Sequence, residues 1–199
     1  LRYDLDSLKV KDITKFKEYH GVNIAINTYL DRTEIPVSID IGFGDVVYPD
    51  RMQMNFPVLL EMEEPKVYAY SLYSVIAEKF EAFTSLGLGN GRYKDFYDIY
   101  ILANKFDLEG KLLQEAVEET FSHRRTTFED IVAFEEEFIE NPVRQGRWVS
   151  FVKKKKAMDT VSFVDTIGLV KEFLLPVVDA ITNRSKYDKT WMHEERKWK

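Results

Sequence analysis

One lysine and two aspartates are the residues of this sequence best placed to do chemistry. If residues 72–86 form a helix that turns about 100° per residue, Lys79 lies near the centre of its apolar stripe. In the next amphipathic segment, residues 94–106, Asp95 falls inside the apolar face and Asp98 at its border. An isolated buried charge is costly, so these charges must be compensated by each other or by a ligand. The pattern predicts either a structural ion pair or a polar site in which Lys79 contacts a phosphate, and spacing leaves both open.

Asp40 is the second candidate, on a segment whose alternation predicts a strand. Within residues 36–43 the apolar side chains point to one face, and Asp40 shares the other face with Ser38 and Gly42. A carboxylate held on a strand between small neighbours suits metal binding or general-base catalysis. A solvent-facing aspartate on a one-sided sheet shows the same pattern, so that alternative also stays open.

A basic stripe in the C-terminal part of the chain is a candidate surface for nucleic acid. Between Asn141 and Met158 there are six cationic residues and no acidic one, interleaved with Trp148 and Phe151. The cationic residues are Arg144, Arg147, Lys153, Lys154, Lys155 and Lys156. Such a stripe would attract an RNA backbone. A lysine run at the C-terminus of a helix is also favoured by the helix dipole alone, which is the competing interpretation.

The strands that would hold Asp40 come first in the chain. Residues 22–30 and 36–43 alternate with period two and predict an antiparallel hairpin. A third, shorter strand is predicted at 66–70 after a proline-marked stretch.

The helices that would hold Lys79 and the aspartates follow from Ser71 onward, where the hydrophobic period changes. The predicted helices span 72–86, 94–106, 112–121, 128–139, 143–156 and 161–181. The predicted fold class is therefore α+β, a small antiparallel sheet followed by a helical bundle. The predicted regions are a sheet region at 1–70, a helical domain at 71–184 and a basic, flexible tail at 185–199.

The composition excludes several classes of site. The sequence has no cysteine, which excludes disulfides, zinc–thiolate sites and cysteine nucleophiles and favours the cytoplasm. The three histidines are scattered without metal-ligand spacing.

No segment approaches the run of about 18 apolar residues that a membrane helix needs. The sequence opens at Leu1 without a methionine, so we expect a piece of a longer protein.

Four blocks of the sequence resemble the AbiEii/AbiGii-type nucleotidyltransferases, the toxins of abortive-infection and type IV toxin–antitoxin systems. The blocks cover residues 19–22, 35–45, 77–82 and 92–99. The most specific of them read Ala77-Glu78-Lys79-Phe80-Glu81-Ala82 and Lys94-Asp95-Phe96-Tyr97-Asp98. The similarity runs from about Leu1 to about Ile181.

The resemblance implies a polymerase-beta-like nucleotidyltransferase fold followed by helices. It implies Mg²⁺-dependent transfer of a nucleotide from an NTP to an acceptor, which in some members is the end of tRNA, and a cognate antitoxin as a partner. By position, Asp40 matches the strand carboxylate that lies at the metal, Lys79 the lysine motif, and Asp95 with Asp98 the last aspartate motif. The resemblance leaves open which of these last two aspartates is essential.

The sequence departs from the family at its first motif. A Gly-Ser or Gly-Gly turn followed by an Asp-x-Asp pair is absent from this sequence. Two-metal phosphoryl chemistry needs carboxylates that bridge both ions, which Asp40 alone cannot do. We therefore expect a C-terminal portion of such a transferase, inactive alone. A non-catalytic module that binds RNA or an antitoxin, and a degenerate transferase with a structural Lys79–Asp95 bridge, are the alternatives.

Overall fold

The computed structural model describes residues 1–15, 19–129, 131–155 and 161–199, and the chain folds into two compact units. The first unit spans Leu1–Asp45 and the second Val46–Lys199. The sequence placed the boundary near residue 70, where the hydrophobic period changes. Tyr48 shows why the helical unit begins earlier: its amide donates to Ser74 Oγ at 2.7 Å, and its carbonyl accepts from the same hydroxyl at 2.8 Å.

The first unit is a three-stranded antiparallel sheet in the order β1–β2–β3. Its strands are β1 (Arg2–Lys15), β2 (Tyr19–Leu30) and β3 (Thr33–Gly42). The predicted hairpin is confirmed, because β2 pairs with β3 from Leu30 opposite Thr33 to Gly21 opposite Gly42. Asp31 begins the connecting turn with a φ of 54°, a region that aspartate enters more readily than most residues.

The sequence does not predict β1, and the reason lies in its pairing. The register of β1 against β2 shifts between Asp4 and Lys9, which marks a bulge. Tyr3 and Leu5 alternate in one phase before the shift, and Leu8 continues in the other phase after it. A change of phase inside a strand hides the period-two pattern on which sequence recognition depends.

The strand pairing gives the sheet one apolar face and one polar face. Ile24 in β2 lies opposite Val10 on one side and Ile39 on the other, which forms an apolar row across the sheet. Asn23 lies opposite Asp40 in the adjacent row. Because successive side chains point to opposite faces, Asp40 belongs to the polar face.

The second unit is mostly helical, with two small sets of paired strands. Its elements are β4 (Met52–Asn55), β5 (Lys66–Ala69), α1 (Leu72–Leu86), α2 (Tyr93–Lys105), β6 (Leu108–Glu109), α3 (Gly110–Arg124), α4 (Glu136–Ile139), α5 (Pro142–Lys154), α6 (Phe163–Thr182), β7 (Thr190–Met192) and β8 (Lys197–Trp198). β4 pairs with β5, and β6, β7 and β8 form a second sheet in that order. The α+β class is therefore confirmed. Across the described residues, no helix combines the length and the apolar character required to cross a membrane.

Aromatic side chains fill the core between the helices. The rings of Phe80 in α1 and Phe121 in α3 lie 4.9 Å apart, and those of Phe83 in α1 and Phe96 in α2 lie 4.5 Å apart. Full burial of one such side chain contributes about 1.5–3 kcal/mol, so these contacts are a major part of the stability of the bundle. They also fix α1 against both neighbouring helices.

The prediction of one helix over residues 128–139 is wrong. The structure has a short 3₁₀ turn at Val132–Phe134 and then the single helical turn of α4. Glu135 between them has an extended backbone, with φ −82° and ψ 145°. This break lets Phe134 and Phe138 both enter the core, where Phe134 lies 5.8 Å from Phe83. Two buried aromatics outweigh helix continuity here.

Residues 185–199, expected to be a flexible tail, are folded onto the helical unit. Trp191 is fully buried, and its indole nitrogen donates to the Ala103 carbonyl at 2.7 Å. Trp198 stacks on Phe173 of α6 with ring centroids 5.5 Å apart and donates to its carbonyl at 3.0 Å. Two indoles supply a large apolar area with both polar atoms satisfied, which is enough to order a short segment.

Gly110 allows this C-terminal segment to approach α3, and Gly110→Ala tests the contact. A Cβ at this position would lie 2.5 Å from Tyr187 Cδ1 and 2.7 Å from the Lys189 carbonyl oxygen. We expect the free energy of unfolding to fall by about 1–3 kcal/mol, because backbone atoms cannot move aside cheaply. Urea unfolding followed by tryptophan fluorescence reports on this unit, since all three tryptophans lie in it.

Gly168→Ala in α6 is the matched control. No atom lies within 4 Å of a Cβ added there, and alanine is favoured over glycine inside a helix. We expect this variant to be stabilised by about 0.5–1 kcal/mol. Equal effects of the two substitutions would contradict the assigned contact.

Candidate active site

Helix α1 carries Lys79 at the edge of the core. Ser71 caps the helix, its Oγ accepting from the Ser74 amide at 3.0 Å, and Gly87 ends it with a φ of 48°. The fully buried side of α1 runs along Ile76 and Phe80. Lys79 keeps 20% of its side chain exposed, so it lies at the margin of the apolar stripe and not at its centre as predicted. The side chain is therefore not sealed inside the core.

Helix α2 carries the two aspartates at different depths. Asp95, in the first turn, is buried with 2% of its side chain exposed, while Asp98 keeps 25% exposed. This is the arrangement that the helical spacing predicts. The N-terminal end of the helix dipole favours a carboxylate in the first turn, which offsets part of the cost of burying Asp95.

The two helices bring Lys79, Asp95 and Asp98 into one charged cluster, which also includes Arg92. Lys79 Nζ lies 2.6 Å from Asp98 Oδ2 and 3.4 Å from Asp95 Oδ1. Arg92 Nε lies 2.8 Å from Asp95 Oδ2, an ionic contact without hydrogen-bond alignment. The cluster holds two cations and two anions. The buried Asp95 is thus shared by two cations, and Asp98 is the nearer partner of Lys79.

Asp40 lies in the other unit, on the exposed polar face of β3. Asn23 Nδ2 donates to Asp40 Oδ1 at 2.7 Å and to Ser38 Oγ at 2.8 Å. The amide fixes one carboxylate oxygen of Asp40, and the side chain remains accessible. Among the described residues, no group of three or more histidine and carboxylate side chains is arranged to hold a metal ion.

The five described residues of the basic stripe do not form one surface. Arg144 is half-buried, and its guanidinium donates to the Asn90 carbonyl at 2.8 Å and to the Leu88 carbonyl. Arg147 and Lys154, seven residues apart, lie on one exposed side of α5, and Lys153 is turned about 100° from Lys154. Lys156 lies outside the described residues.

The aromatic residues of the stripe also face inward. Trp148 is buried, and its indole nitrogen donates to the Val161 carbonyl at 2.8 Å. Lys155 Nζ lies 5.7 Å from the ring centroid of the half-buried Phe151. Stacking of a base on Trp148 is therefore excluded in this conformation, and the exposed described residues of the stripe are Arg147, Lys153, Lys154 and Lys155.

Sequence reasoning missed a second buried charge on α1. Glu81 is buried, and its carboxylate lies 2.7 Å from Arg124 Nη1 in α3 and accepts from Thr126 Oγ1 at 2.6 Å. A stripe centred on Phe80 gives no signal for this burial, because Glu81 and Lys79 each lie about 100° from its centre. The stripe chosen from the sequence was centred on Lys79 instead.

Lys79→Ala should lower the free energy of unfolding by about 1–2 kcal/mol, less than the 3–5 kcal/mol expected when a buried ion pair is left uncompensated. The decrease is limited because Asp95 keeps Arg92 as a partner and Asp98 can be hydrated. A double-mutant cycle with Asp98→Ala, measured by urea unfolding, should give a coupling energy of about 1 kcal/mol.

Lys111→Ala, at an exposed position on α3, is the control and should change stability by less than about 0.5 kcal/mol. A decrease of 3 kcal/mol or more for Lys79→Ala, on the scale of about 3–5 kcal/mol for a broken buried pair, would mean that the lysine serves mainly as a structural bridge.

Comparison with known proteins identifies the family to which this arrangement belongs. A family model described as nucleotidyl transferase AbiEii toxin, type IV toxin–antitoxin system, matches residues 2–167. The match includes the three-stranded sheet and the charged cluster. Comparisons with curated proteins and with solved structures found no match. The chain belongs to the AbiEii family of nucleotidyl transferase toxins of type IV toxin–antitoxin systems.

Proposed function

We propose that Lys79 contacts the reacting phosphates of an NTP whose nucleotide is transferred to an acceptor. The observation that carries this proposal is the geometry of Lys79, whose ammonium group is held 2.6 Å from Asp98 Oδ2 on a side chain that keeps 20% of its surface exposed. A lysine acts on phosphates as a compact positive charge. A charge positioned in advance stabilises the developing negative charge of the transition state without reorganisation during the reaction.

The two aspartates have different roles in this proposal. Asp98 is accessible and lies beside Lys79, so it is the aspartate that faces the substrate. Asp95 is buried between Lys79 and Arg92, so it is a positioning residue that holds both cations. The family match supports the transferase activity and the NTP substrate at the level of the family.

The residues present fit a magnesium ion only in part. Asp40 offers carboxylate oxygens on an accessible strand, and Mg²⁺ binds through one or two carboxylates together with substrate phosphates. Bound there, the ion would neutralise phosphate charge. One carboxylate cannot bridge two ions, so we propose that transfer needs carboxylates in addition to Asp40 and that this chain alone is inactive.

The proposal for Lys79 is tested in the complete gene product by transfer of a labelled nucleotide from each of the four NTPs to total RNA or purified tRNA. Lys79→Ala should lower kcat by about 10²–10³-fold, as expected for a group that stabilises charge in the transition state. The protein should remain folded. Lys111→Ala is the matched control and should keep the parent rate. Parent-like transfer by folded Lys79→Ala would defeat the assignment.

RNA is the acceptor that the accessible lysines support best. Lys153, Lys154 and Lys155 are exposed at the end of α5, and Lys156 follows them in the sequence. A lysine run of this kind neutralises phosphates and releases counterions. The competing function, a non-catalytic module that binds RNA or a cognate antitoxin, would use the same surface and would show binding without transfer.

Replacing the four lysines at 153–156 by glutamine should weaken RNA binding to a similar extent for unrelated sequences. The logarithmic slope of affinity against salt concentration should also flatten, by about 0.7–0.9 for each phosphate that the variant no longer neutralises. Filter binding at several salt concentrations measures both quantities. The same number of exposed lysines replaced elsewhere, including Lys105 and Lys111, controls for net charge. An unchanged slope in the 153–156 variant would remove RNA as the partner of this surface.

A further inference from the structure

Arg144 is half-buried and hydrogen-bonded to a neighbouring turn, unlike the exposed lysines with which the sequence groups it. Its guanidinium donates to the Asn90 carbonyl at 2.8 Å and to the Leu88 carbonyl. Its Cζ lies 3.9 Å from the ring centroid of Phe138, which covers one face of the guanidinium. The two hydrogen bonds connect the side chain to the turn at residues 87–91, and the ring contact connects it to α4.

The turn that Arg144 holds leads directly into the charged cluster. Asn90 is buried, and its Oδ1 accepts from the Arg92 amide at 2.7 Å. The Arg92 carbonyl then accepts from the Asp95 amide at 2.9 Å, and the Arg92 side chain reaches the Asp95 carboxylate. The first two links run through the backbone amide and carbonyl of Arg92, so the position of the turn sets the position of the first turn of α2.

The start of helix α5 fixes Arg144 itself. Asn141 caps this helix, and its Oδ1 accepts from the Val143 amide at 3.0 Å and from the Arg144 amide at 3.2 Å. Pro142 occupies the first turn, where its lack of an amide hydrogen has no cost. The backbone of Arg144 is therefore rigid, and its side chain acts as a brace between α5 and the turn.

We propose that Arg144 is a positioning residue for the Lys79 site and does not contact RNA. It holds the 87–91 turn, through which Asn90 and Arg92 set the place of the carboxylates that orient Lys79. This inference rests on the proposed function of Lys79. A misplacement of about 1 Å at a catalytic group can lower a rate by about 10²-fold, so a brace remote from the substrate can govern the rate.

An arginine is required at this position for a geometric reason. Its planar group donates to two carbonyls while its Cζ lies 3.9 Å from the centroid of the Phe138 ring, and a lysine ammonium cannot reproduce this planar, two-directional geometry. Arg144→Lys therefore keeps the charge and removes the brace. The substitution therefore distinguishes a positioning role, which lysine cannot fill, from an electrostatic role in RNA binding, which lysine can fill.

The test compares Arg144→Gln, Arg144→Lys and Asn90→Ala in the complete gene product, with Lys111→Gln as the control for charge. Asn90→Ala removes the hydrogen bond from the Arg92 amide to Asn90 Oδ1 and leaves the Asn90 carbonyl that accepts from Arg144. Because the variants remove different contacts, a result that they share cannot be explained by one local disruption. The measurements are kcat and KM for the NTP, normalised to folded protein, RNA affinity, and amide hydrogen exchange of residues 90–95.

We expect all three variants to lower kcat by about 10–100-fold while KM and RNA affinity change by less than about threefold. Exchange at residues 90–95 should accelerate at least about tenfold, because local opening of the turn is favoured. Lys111→Gln should match the parent in every measurement.

Parent-like kcat in folded Arg144→Gln and Asn90→Ala, together with a loss of transfer in Lys79→Ala, would overturn this inference and leave the proposed function intact. Unchanged exchange at residues 90–95 would also overturn it. Recovery of kcat in Arg144→Lys, with weakened RNA binding in Arg144→Gln alone, would assign the residue to RNA instead. Parent-like transfer by Lys79→Ala would show that the proposed function has failed, and the exchange measurement would still decide whether Arg144 orders the turn.

Discussion

The buried carboxylate of Asp95 is the constraint on which the helical unit depends. A carboxylate with 2% of its side chain exposed must be compensated, and the compensation comes from Lys79 on α1 and from Arg92 at the start of α2. Of these two contacts, the one with Lys79 connects α1 to the first turn of α2. The neighbouring contact between Phe83 and Phe96 fixes their spacing. Apolar packing supplies most of the stability, and the ionic contacts determine which packing is adopted.

Helix α1 applies the same principle on its other side. Glu81 is buried against α3, where Arg124 and Thr126 satisfy both oxygens of its carboxylate. One helical block, residues 77–82, therefore carries inward charges of opposite sign, and each is matched by a different neighbouring helix. Exchanging either charge for its opposite would place like charges together in a poorly hydrated region. Because each charge must match a different neighbouring helix, the block at residues 77–82 is a more specific sequence signal for this helix packing than its length of six residues suggests.

Helical spacing predicted the depths of Asp95 and Asp98 and the bounds of α1, because those features depend on local periodicity alone. It did not predict the folded C-terminal segment, since the burial of Trp191 depends on a carbonyl 88 residues earlier in the chain. The hydrogen-bond partners of Arg144 could not be predicted for the same reason, because its acceptors lie 54 and 56 residues away. The sequence pattern of a cation beside a lysine run indicates a nucleic-acid contact and carries no information about such distant acceptors.

In the site that we propose, the unequal exposure of the two aspartates would let a paired lysine remain available to a substrate. A phosphate that approaches Lys79 competes with Asp98, which is 25% exposed and can turn toward water at little cost. If the phosphate also draws Lys79 away from Asp95, the buried carboxylate of Asp95 keeps its ionic contact with Arg92. No buried charge is left unpaired in either state, so the exchange of partners does not carry the large penalty of breaking a buried ion pair. In this exchange Asp95 keeps a cation and so preserves the helix packing, while Asp98 releases Lys79 to the phosphate.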